Sequence, residues 1–472
     1  MLVYIHVPFC RSKCGYCAFH SEIPRGDAMQ RYTDALLREI ALWGDRLGNV
    51  PVQTVFFGGG TPSMLPARAI AAILDRLRRA FALERSAEIS LEANPESVAD
   101  MTVMQTLLNA GVNRLSLGVQ SLNSASLRHL GRIHSAQDAV RTFELARTMG
   151  FGNINLDFIW GLPDQRLKLW LDELKAIVRL GPDHLSCYGL TLEEGTPLEQ
   201  AVREGTTLLP NENEQGKMFI YGAEYLESQG YLHYEISNFA RMGFQCRHNL
   251  GYWEGAEYLG LGPAAVSTLR GRRWTNPLDL AVYERNVRNG DIARDVELLT
   301  PLERVQELVM LRLRTTRGLR VKAYREVTGR DFLRDNKALI HALHRNRLVR
   351  IRNGYLSLTR NGLLVSNSIL ERFFESLEQV ATNDANAISD PHTLSVTEKT
   401  EKTEQPNAPN APNTPNTTGA TDRPPDTDFS SPHEASVHSP EETATSNATP
   451  STGTQQKTDA APAALRTQRE SA

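Results

Sequence analysis

Residues 4–20 of the chain read YIHVPFCRSKCGYCAFH. This stretch places Cys10, Cys14 and Cys17 within eight residues, directly after a run of apolar and β-branched residues that is typical of a β-strand. Structural zinc sites and cubane iron–sulfur clusters normally take four protein ligands. Three cysteines therefore leave one coordination position for another group.

Five further apolar runs follow this first strand, and stretches with helical periodicity separate them. The six runs are LVYIHV (2–7), TVFFGG (54–59), EISLEA (88–93), RLSLGV (114–119), NINLDFIWG (153–161) and HLSCYGL (184–190). The helical patterns cover residues 28–47, 66–82, 97–110, 136–149 and 167–180. This alternation predicts an α/β fold over residues 1–205, a partial (βα)6 barrel with a parallel sheet. Functional residues are expected at the C-terminal ends of its strands.

The alternation stops after about residue 200. A helical pattern covers 211–229, and the predicted connecting region, 206–299, contains the aromatic and glycine-rich stretch CRHNLGYWEGAEYLGLG. Residues 300–378 predict a mostly helical, winged-helix-like module with a hairpin around Asn353-Gly354. Its basic residues would fit DNA binding, but arginines scattered over solvated helix faces explain them more simply.

Composition changes at about residue 381. Residues 381–472 hold 11 of the 24 prolines and Phe429 as their only aromatic residue. Such a segment cannot bury enough apolar surface to offset its ordering entropy, so it predicts a disordered tail. The tail has a net charge of −7 against −3 for the whole chain, which leaves about +4 for residues 1–380. That charge is too small to indicate a nucleic-acid partner.

Targeting signals are lacking in the sequence. It has neither an apolar run near the ~18 residues of a transmembrane segment nor a signal-peptide pattern. Five cysteines, three of them clustered, do not form a secreted disulfide framework. These features predict a cytoplasmic protein; peripheral membrane contact and a homodimer remain compatible with them.

The cysteine cluster has three interpretations. It could be a zinc site completed by His20 or His6, three thiols in an ordinary loop, or a [4Fe–4S] cluster with one open iron. Zinc sites usually come as two paired CxxC motifs, and no second CxxC follows. An open iron is useful only where a small molecule binds to it.

A CxxxCxxC motif after the first strand and GGGTP (58–62) after the second resemble the radical S-adenosylmethionine (SAM) superfamily. The resemblance implies a [4Fe–4S] cluster on Cys10, Cys14 and Cys17, with SAM as the ligand of the open iron. A glycine run also lets backbone N–H groups approach a carboxylate, and polar residues are expected at or just beyond strand ends. The SAM-site residues implied by the resemblance are Tyr4, Tyr16 beside the adenine, Gly59, Gly60, Thr61, Glu92, Gln120, Arg132 and Asp157.

The resemblance extends from residue 4 to about 375. YIHVPFC, GGGTP, EANPE, GVQS, GRIH and NLDFIWGLP, in this order, are similar to the anaerobic coproporphyrinogen III oxidase group. Two differences stand out: Phe19 occupies the position of a further cysteine, and three residues precede Tyr4 where the oxidase has a long segment. They indicate the sister group of that oxidase, a group of heme chaperones.

HNLGYW (248–253) matches the HNxxYW motif associated with heme in that sister group. The resemblance assigns heme binding to His248, Asn249, Tyr252 and Trp253. Neutral imidazole is a good axial ligand for heme iron, and aromatic rings offer flat faces to a porphyrin. The alternative is a core histidine that donates to a backbone carbonyl, beside two rings that merely pack. Cys246 is an alternative ligand or a buried small side chain, and Cys187 is predicted to lie in the core.

The sequence is compatible with three functions. The first is a chaperone that binds heme and transfers it to apo-hemoproteins, built on a scaffold that carries the cluster and SAM. The second is a radical SAM enzyme acting on a porphyrinogen, in which SAM is cleaved. The third is a DNA-binding regulator with the cluster as a redox sensor, which would have no use for a SAM site.

Overall fold

A computed structural model describes residues 1–389. The strands, in chain order, are β1 Leu2–Val7, β2 Pro51–Gly59, β3 Ala82–Ala93, β4 Arg114–Gln120, β5 Ile154–Trp160, β6 His184–Gly189, β7 Leu232–His233, β8 Asn238–Ala240, β9 Tyr258–Leu261, β10 Val266–Leu269, β11 Arg272–Thr275, β12 Glu297–Leu298, β13 Leu319–Arg320, β14 Val349–Arg352 and β15 Tyr355–Leu358.

Twelve of these strands form one sheet in the order β12-β11-β10-β9-β1-β2-β3-β4-β5-β6-β8-β7. Strands β1 to β6 are parallel neighbours in chain order, as the βα alternation predicts. At one end β9 pairs with β1 in parallel and is followed by antiparallel β10, β11 and β12, and at the other end β8 and β7 are antiparallel. The two terminal strands of the sheet, β12 and β7, do not pair with each other. The barrel is therefore open, which confirms the prediction of a partial barrel.

The helices, in chain order, are α1 Ala28–Leu47, α2 Ala67–Ala80, α3 Met101–Ala110, α4 Ser124–His129, α5 Ala136–Met149, α6 Leu167–Leu180, α7 Pro197–Arg203, α8 Glu212–Ser228, α9 Arg247–Trp253, α10 Leu280–Arg288, α11 Pro301–Leu313, α12 Val321–Thr328, α13 Phe332–Asp335, α14 Lys337–Arg345, α15 Arg360–Leu364 and α16 Ser366–Ser389. The five helices predicted between the strands are present, and α1, α5 and α6 have the predicted bounds.

Alternation along the strands separates two environments. Val3, Ile5 and Val7 of β1 are fully buried in the core formed between the sheet and its covering helices. Tyr4, between them, faces the barrel interior and lines a cavity there. The same two-residue period runs along the neighbouring strands, because successive strand side chains point to opposite faces. Polar residues on the interior face therefore converge on one space.

The C-terminal module has its own hydrophobic core, which contains Val309, Leu313 and Phe373. Helices surround a three-stranded sheet in the order β13-β15-β14. The predicted hairpin joins β14 to β15 through Asn353 and Gly354, which both have positive φ (51° and 77°), as a type I′ turn requires. Both cores lie in one compact unit that includes Met1–Ala385.

Helix α16 continues to Ser389. The predicted start of the disordered tail, residue 381, therefore lies too early in the chain. The remainder of that predicted tail, 390–472, lies outside the described residues. Within residues 1–389, no helix has the length and apolar character needed to cross a membrane.

Candidate functional site

One cavity of about 310 Å³ opens inside the barrel. All sixteen residues that the resemblance assigns to the cluster, SAM or heme line it: Cys10, Cys14, Cys17, Tyr4, Tyr16, Gly59, Gly60, Thr61, Glu92, Gln120, Arg132, Asp157, His248, Asn249, Tyr252 and Trp253. Its size is at the lower end of the range for small-molecule sites. The fold thus brings the cysteines, the strand-end polar residues and the HNxxYW motif to a single site.

The loop between β1 and α1 carries the three cysteines, which are half-buried and not disulfide-bonded. Two side chains donate toward their sulfur atoms: the Thr61 hydroxyl lies 3.6 Å from Sγ of Cys10, and Nη1 of Arg132 lies 3.5 Å from Sγ of Cys14. Such donors favour thiolates. Burial raises the pKa of Cys17 to about 11, so its thiolate would depend on the positive charge of bound iron.

The GGGTP segment packs against the start of the cysteine loop. Gly60 donates its N–H to the carbonyl of Val7 at 2.8 Å, and Thr61 donates to the carbonyl of Phe9 at 2.7 Å. A Cβ atom on Gly60 would lie 2.7 Å from that same Phe9 oxygen, so only glycine fits. The N–H groups of Gly60 and Thr61 are thus occupied by the backbone, whereas the N–H group of Gly59 is directed toward the Glu92 carboxyl group in the cavity wall.

Two carboxyl groups face the cavity from β3 and β5. Burial, together with the charge of Asp157, raises the pKa of Glu92 to about 8, and burial raises the pKa of Asp157 as well. Asp157 accepts hydrogen bonds from Oγ of Ser116 at 3.1 Å and Nδ2 of Asn155 at 2.8 Å. A protonated Glu92 beside a fixed Asp157 can donate to one hydroxyl group of a ligand and accept from another.

Gln120 and Arg132 complete this part of the wall. Gln120 ends β4 with a positive φ of 66°, next to a register shift in the pairing with β5, and such strain is concentrated at functional sites. Arg132 follows α4 rather than a strand, so its predicted place at a strand end is wrong. Its Nη2 atom donates to Oδ1 of Asn94 at 2.6 Å and to the Gly118 carbonyl at 2.8 Å, which fixes its position beside the cysteines.

The HNxxYW residues lie on the short helix α9, which the sequence did not predict. The N–H groups of Arg247 and His248, in its first turn, donate to the carboxylate of Glu88 at 2.9 and 3.1 Å. The Cys246 thiol lies 3.4 Å from the same carboxylate. A carboxylate at a helix N-terminus satisfies free N–H groups and interacts favourably with the helix dipole.

His248 is only 1% exposed. Its Nδ1 atom lies 2.7 Å from Oγ1 of Thr54, and its Nε2 atom has no hydrogen-bond partner. The ring stacks on Phe56 with 5.0 Å between centroids and meets the edge of Tyr252 at 4.7 Å. Burial and the nearby positive charge of Arg114 lower the pKa of His248 to about 3, so the imidazole is neutral.

The other aromatic residues of the motif pack in different places. Tyr252 packs with Leu2 and Tyr258, the first residues of β1 and β9. Trp253 instead belongs to the core of the C-terminal module. Both rings therefore pack against apolar neighbours and also line the cavity. For His248 the alternative is not observed, since its partner is a hydroxyl rather than a backbone carbonyl.

Three further residues of the site were not predicted from the sequence: Thr54, Glu88 and Arg114. All three are more than 90% buried, and Arg114 also lines the cavity. Their one detectable signal is a polar or charged residue inside or beginning an otherwise apolar strand. Cys187 is buried in the core, as predicted, and Cys246 is fully buried.

Comparison with known proteins agrees with this architecture. Residues 4–180 match the family model "Radical SAM superfamily", and residues 299–365 match "HemN C-terminal domain". The chain therefore has the radical SAM fold, with a second region shared with the HemN proteins.

Sequence similarity to characterised proteins places the chain in a narrower family within this superfamily. Heme chaperone HemW of Bacillus subtilis is 32% identical over 79% of this chain and 99% of that protein. Heme chaperone HemW of Escherichia coli is 41% identical over 56% of this chain and 68% of that protein. Mouse radical S-adenosyl methionine domain-containing protein 1, mitochondrial, is 37% identical over 67% of this chain and 74% of its own length. The chain belongs to the HemW family.

A solved structure extends the likeness to three dimensions. The coproporphyrinogen III oxidase HemN from Escherichia coli, described as a radical SAM enzyme, superimposes with a TM-score of 0.69. It is 25% identical, and the match covers 79% of this chain and 89% of that one.

Proposed function

We propose that this protein is a cytoplasmic heme chaperone, which binds heme and delivers it to apo-hemoproteins. The observation that carries the proposal is the His248 ring: a neutral, buried imidazole that borders the same cavity as the three cysteines and has one nitrogen without a partner. The relatives named heme chaperones support it.

A [4Fe–4S] cluster fits the cysteine loop. Cys10, Cys14 and Cys17 would hold it, with Thr61 and Arg132 donating toward the sulfur atoms. Among residues 1–389, no three His, Cys, Asp or Glu side chains are placed to hold a single metal ion, whereas a cubane cluster holds each thiolate on a separate iron. When bound, the cluster would supply an open iron to which SAM binds as a chelating ligand. Once reduced, it would also supply an electron.

The chain's polar residues fit the remainder of SAM. Glu92 and Asp157 would hydrogen-bond the ribose hydroxyls, because one carboxyl keeps a proton at neutral pH and the other accepts. Tyr16, which packs against the cluster of Leu130, Ile159 and Leu162, would contact the adenine. Tyr4, Gly59, Gly60, Thr61, Gln120 and Arg132 would border the methionine part and exclude water from it.

Heme would meet His248 at Nε2, because Nδ1 is held by Thr54. A neutral ring keeps a lone pair for iron, and burial maintains that state at physiological pH. Asn249, Tyr252 and Trp253 would complete the contact from α9. Apo-hemoproteins are the proposed recipients, and the protein itself would act as a monomer or a homodimer.

One observation favours a second function. The cavity joins the SAM-site residues to the HNxxYW motif, so a porphyrinogen bound near α9 would lie within the same space as SAM. The alternative is therefore a radical SAM enzyme that oxidises a porphyrinogen, as the E. coli structural relative does by name. Phe19, which stands where that oxidase group has a further cysteine, argues against it.

An anaerobic heme titration of the cluster-reconstituted protein, followed in the Soret band, tests the chaperone proposal. Wild type is expected to saturate near one heme per chain, and His248→Ala to lose binding or change the spectrum. Cys246→Ala tests the alternative ligand, and His344→Ala, at an exposed position, is the matched control. Equal, unsaturable binding by wild type and His248→Ala would remove the proposal's main support.

A further inference from the structure

We propose that Arg114 is a binding site for a carboxylate group of the tetrapyrrole that enters the cavity. This inference rests on the proposed heme-binding function and names the part of the ligand that Arg114 recognises. The propionate side chains of heme and of related porphyrins provide such carboxylates.

Arg114 is placed by the sheet inside the barrel. It begins β4 opposite Ser90 of β3, and it lines the cavity together with Ser116 and Gly118, the next residues on the same face of the strand. The side chain is only 2% exposed. It is therefore a cation in the cavity wall that bulk water does not solvate.

The guanidinium lacks the partners that a buried charge requires. Its Nε atom is buried and has no hydrogen-bond partner. Within residues 1–389, none of the ion pairs with an N–O distance of 4.0 Å or less includes Arg114. A buried charge is normally paired and hydrogen-bonded, and an exception in a native fold needs an explanation.

Nearby acids balance the charge without using its N–H groups. Glu88 accepts hydrogen bonds from the N–H groups of Arg247 and His248, and Asp157 accepts from Ser116 and Asn155. Both carboxylates interact electrostatically with Arg114. Their favourable field keeps Arg114 charged, while the planar fork of donors stays available for a bidentate carboxylate.

Two arginines divide the cavity between two anions. Arg132 is held beside Cys14 by Asn94 and the Gly118 carbonyl, so it belongs to the cysteine side. Arg114 instead lies near the start of α9, where Glu88 is the carboxylate that chiefly balances its charge, and Asp157 contributes less. This position favours a carboxylate of the ligand that meets His248 over the carboxylate of SAM.

The test compares heme with heme dimethyl ester, in which both propionates are blocked, in wild type and in Arg114→Met. Charge-assisted hydrogen bonds predict that wild type binds heme about 10- to 100-fold more tightly than the ester, and that the ratio falls close to one in Arg114→Met. Arg114→Lys, which keeps the charge but not the fork, is expected to give an intermediate ratio and serves if the methionine variant does not fold.

The possible results separate a failure of the Arg114 inference from a failure of the proposed heme-binding function. Saturable binding with no preference for heme over the ester in wild type, or with the same ratio in wild type and both variants, overturns the inference and leaves the proposed function standing. A loss of SAM binding in Arg114→Met with an unchanged heme-to-ester ratio also overturns it, since the carboxylate would then belong to SAM. Absence of saturable binding of either porphyrin to wild type instead contradicts the proposed function itself.

Discussion

Nδ1 of His248 and Oγ1 of Thr54 lie 2.7 Å apart, and this contact leaves Nε2 as the ring nitrogen that a ligand can use. A metal ion on Nε2 requires the ring proton on Nδ1, where the Thr54 oxygen can accept it. Hydrogen bonds of this kind orient metal-binding histidines and raise their basicity. Thr54 and His248 come from β2 and α9, so only the fold brings them together.

Replacing Thr54 by valine is expected to weaken heme binding about 10-fold, because the isosteric side chain removes the acceptor for Nδ1–H. Soret titration measures the affinity, and the position of the band reports the ligand. Thr54→Ser, which keeps the hydroxyl, is the matched control and is expected to bind like wild type. Equal affinity of the valine variant and wild type would show that the contact does not position His248 for heme.

Glu88→Gln is expected to lower the free energy of unfolding by about 1–3 kcal/mol. The carboxylate accepts hydrogen bonds from two backbone N–H groups with its two oxygens, whereas the amide would turn an NH2 group toward one of these donors. Heme affinity should fall as well, since α9 loses its N-terminal anchor. Urea unfolding and Soret titration measure the two effects. Glu371→Gln, at an exposed position, is the control; a Glu88→Gln variant as stable as this control would contradict the anchoring role.

Serine at Cys10, Cys14 or Cys17 is expected to abolish the cluster, because each thiolate would hold one iron. Iron and sulfide content after anaerobic reconstitution, together with the charge-transfer absorption, measures the loss. Cys187→Ala removes a buried cysteine of the core and is expected to keep the full cluster. Normal iron content in any of the three serine variants would remove that cysteine from the ligand set.

Glu39 predicts a pH dependence of stability. Its buried carboxylate accepts hydrogen bonds from Gly262, Asn276 and Tyr283, and burial raises its pKa from 4.5 to about 7. The folded state therefore binds more protons than the unfolded chain between these values, so the contribution of Glu39 to stability falls as pH rises through that window.

Glu39→Gln removes this titration. Its free energy of unfolding, relative to wild type, is expected to increase between about pH 5 and pH 7.5, because wild type alone loses stability through this group. Urea unfolding of both proteins at several pH values measures the difference. A difference that stays constant across the range would contradict the raised pKa.

The regular part of the fold could be predicted from the sequence because local patterns determine it. Buried parallel strands appear as apolar runs, and α5 has both a helical period and a capping box at Ser135 and Asp138. The cysteine spacing and the GGGTP segment indicated the site, since both follow strands. The carboxyl ends of parallel strands meet at one end of a barrel.

Other parts of the site depend on contacts between distant residues. Helix α9 spans only Arg247–Trp253, contains a glycine, and is anchored by Glu88, about 160 residues earlier in the chain. The N–H groups of the glycine run were expected to face a ligand, and the N–H group of Gly60 instead donates to the carbonyl of Val7 at the start of the cysteine loop. Thr54 and Arg114 show in the sequence only as polar residues in apolar strands, and that signal does not indicate which distant residues they face.

Heme transfer from this protein to an apo-hemoprotein tests the proposed chaperone function. The heme-loaded protein is mixed with the apo form of a b-type cytochrome, in the presence of a scavenger that captures free heme, and the Soret spectrum of the cytochrome is followed. We expect wild type to convert the apo-cytochrome to its heme-bound form ahead of the scavenger, and His248→Ala to fail to do so. Heme that remains on the chain, or that reaches only the scavenger, would contradict the chaperone function.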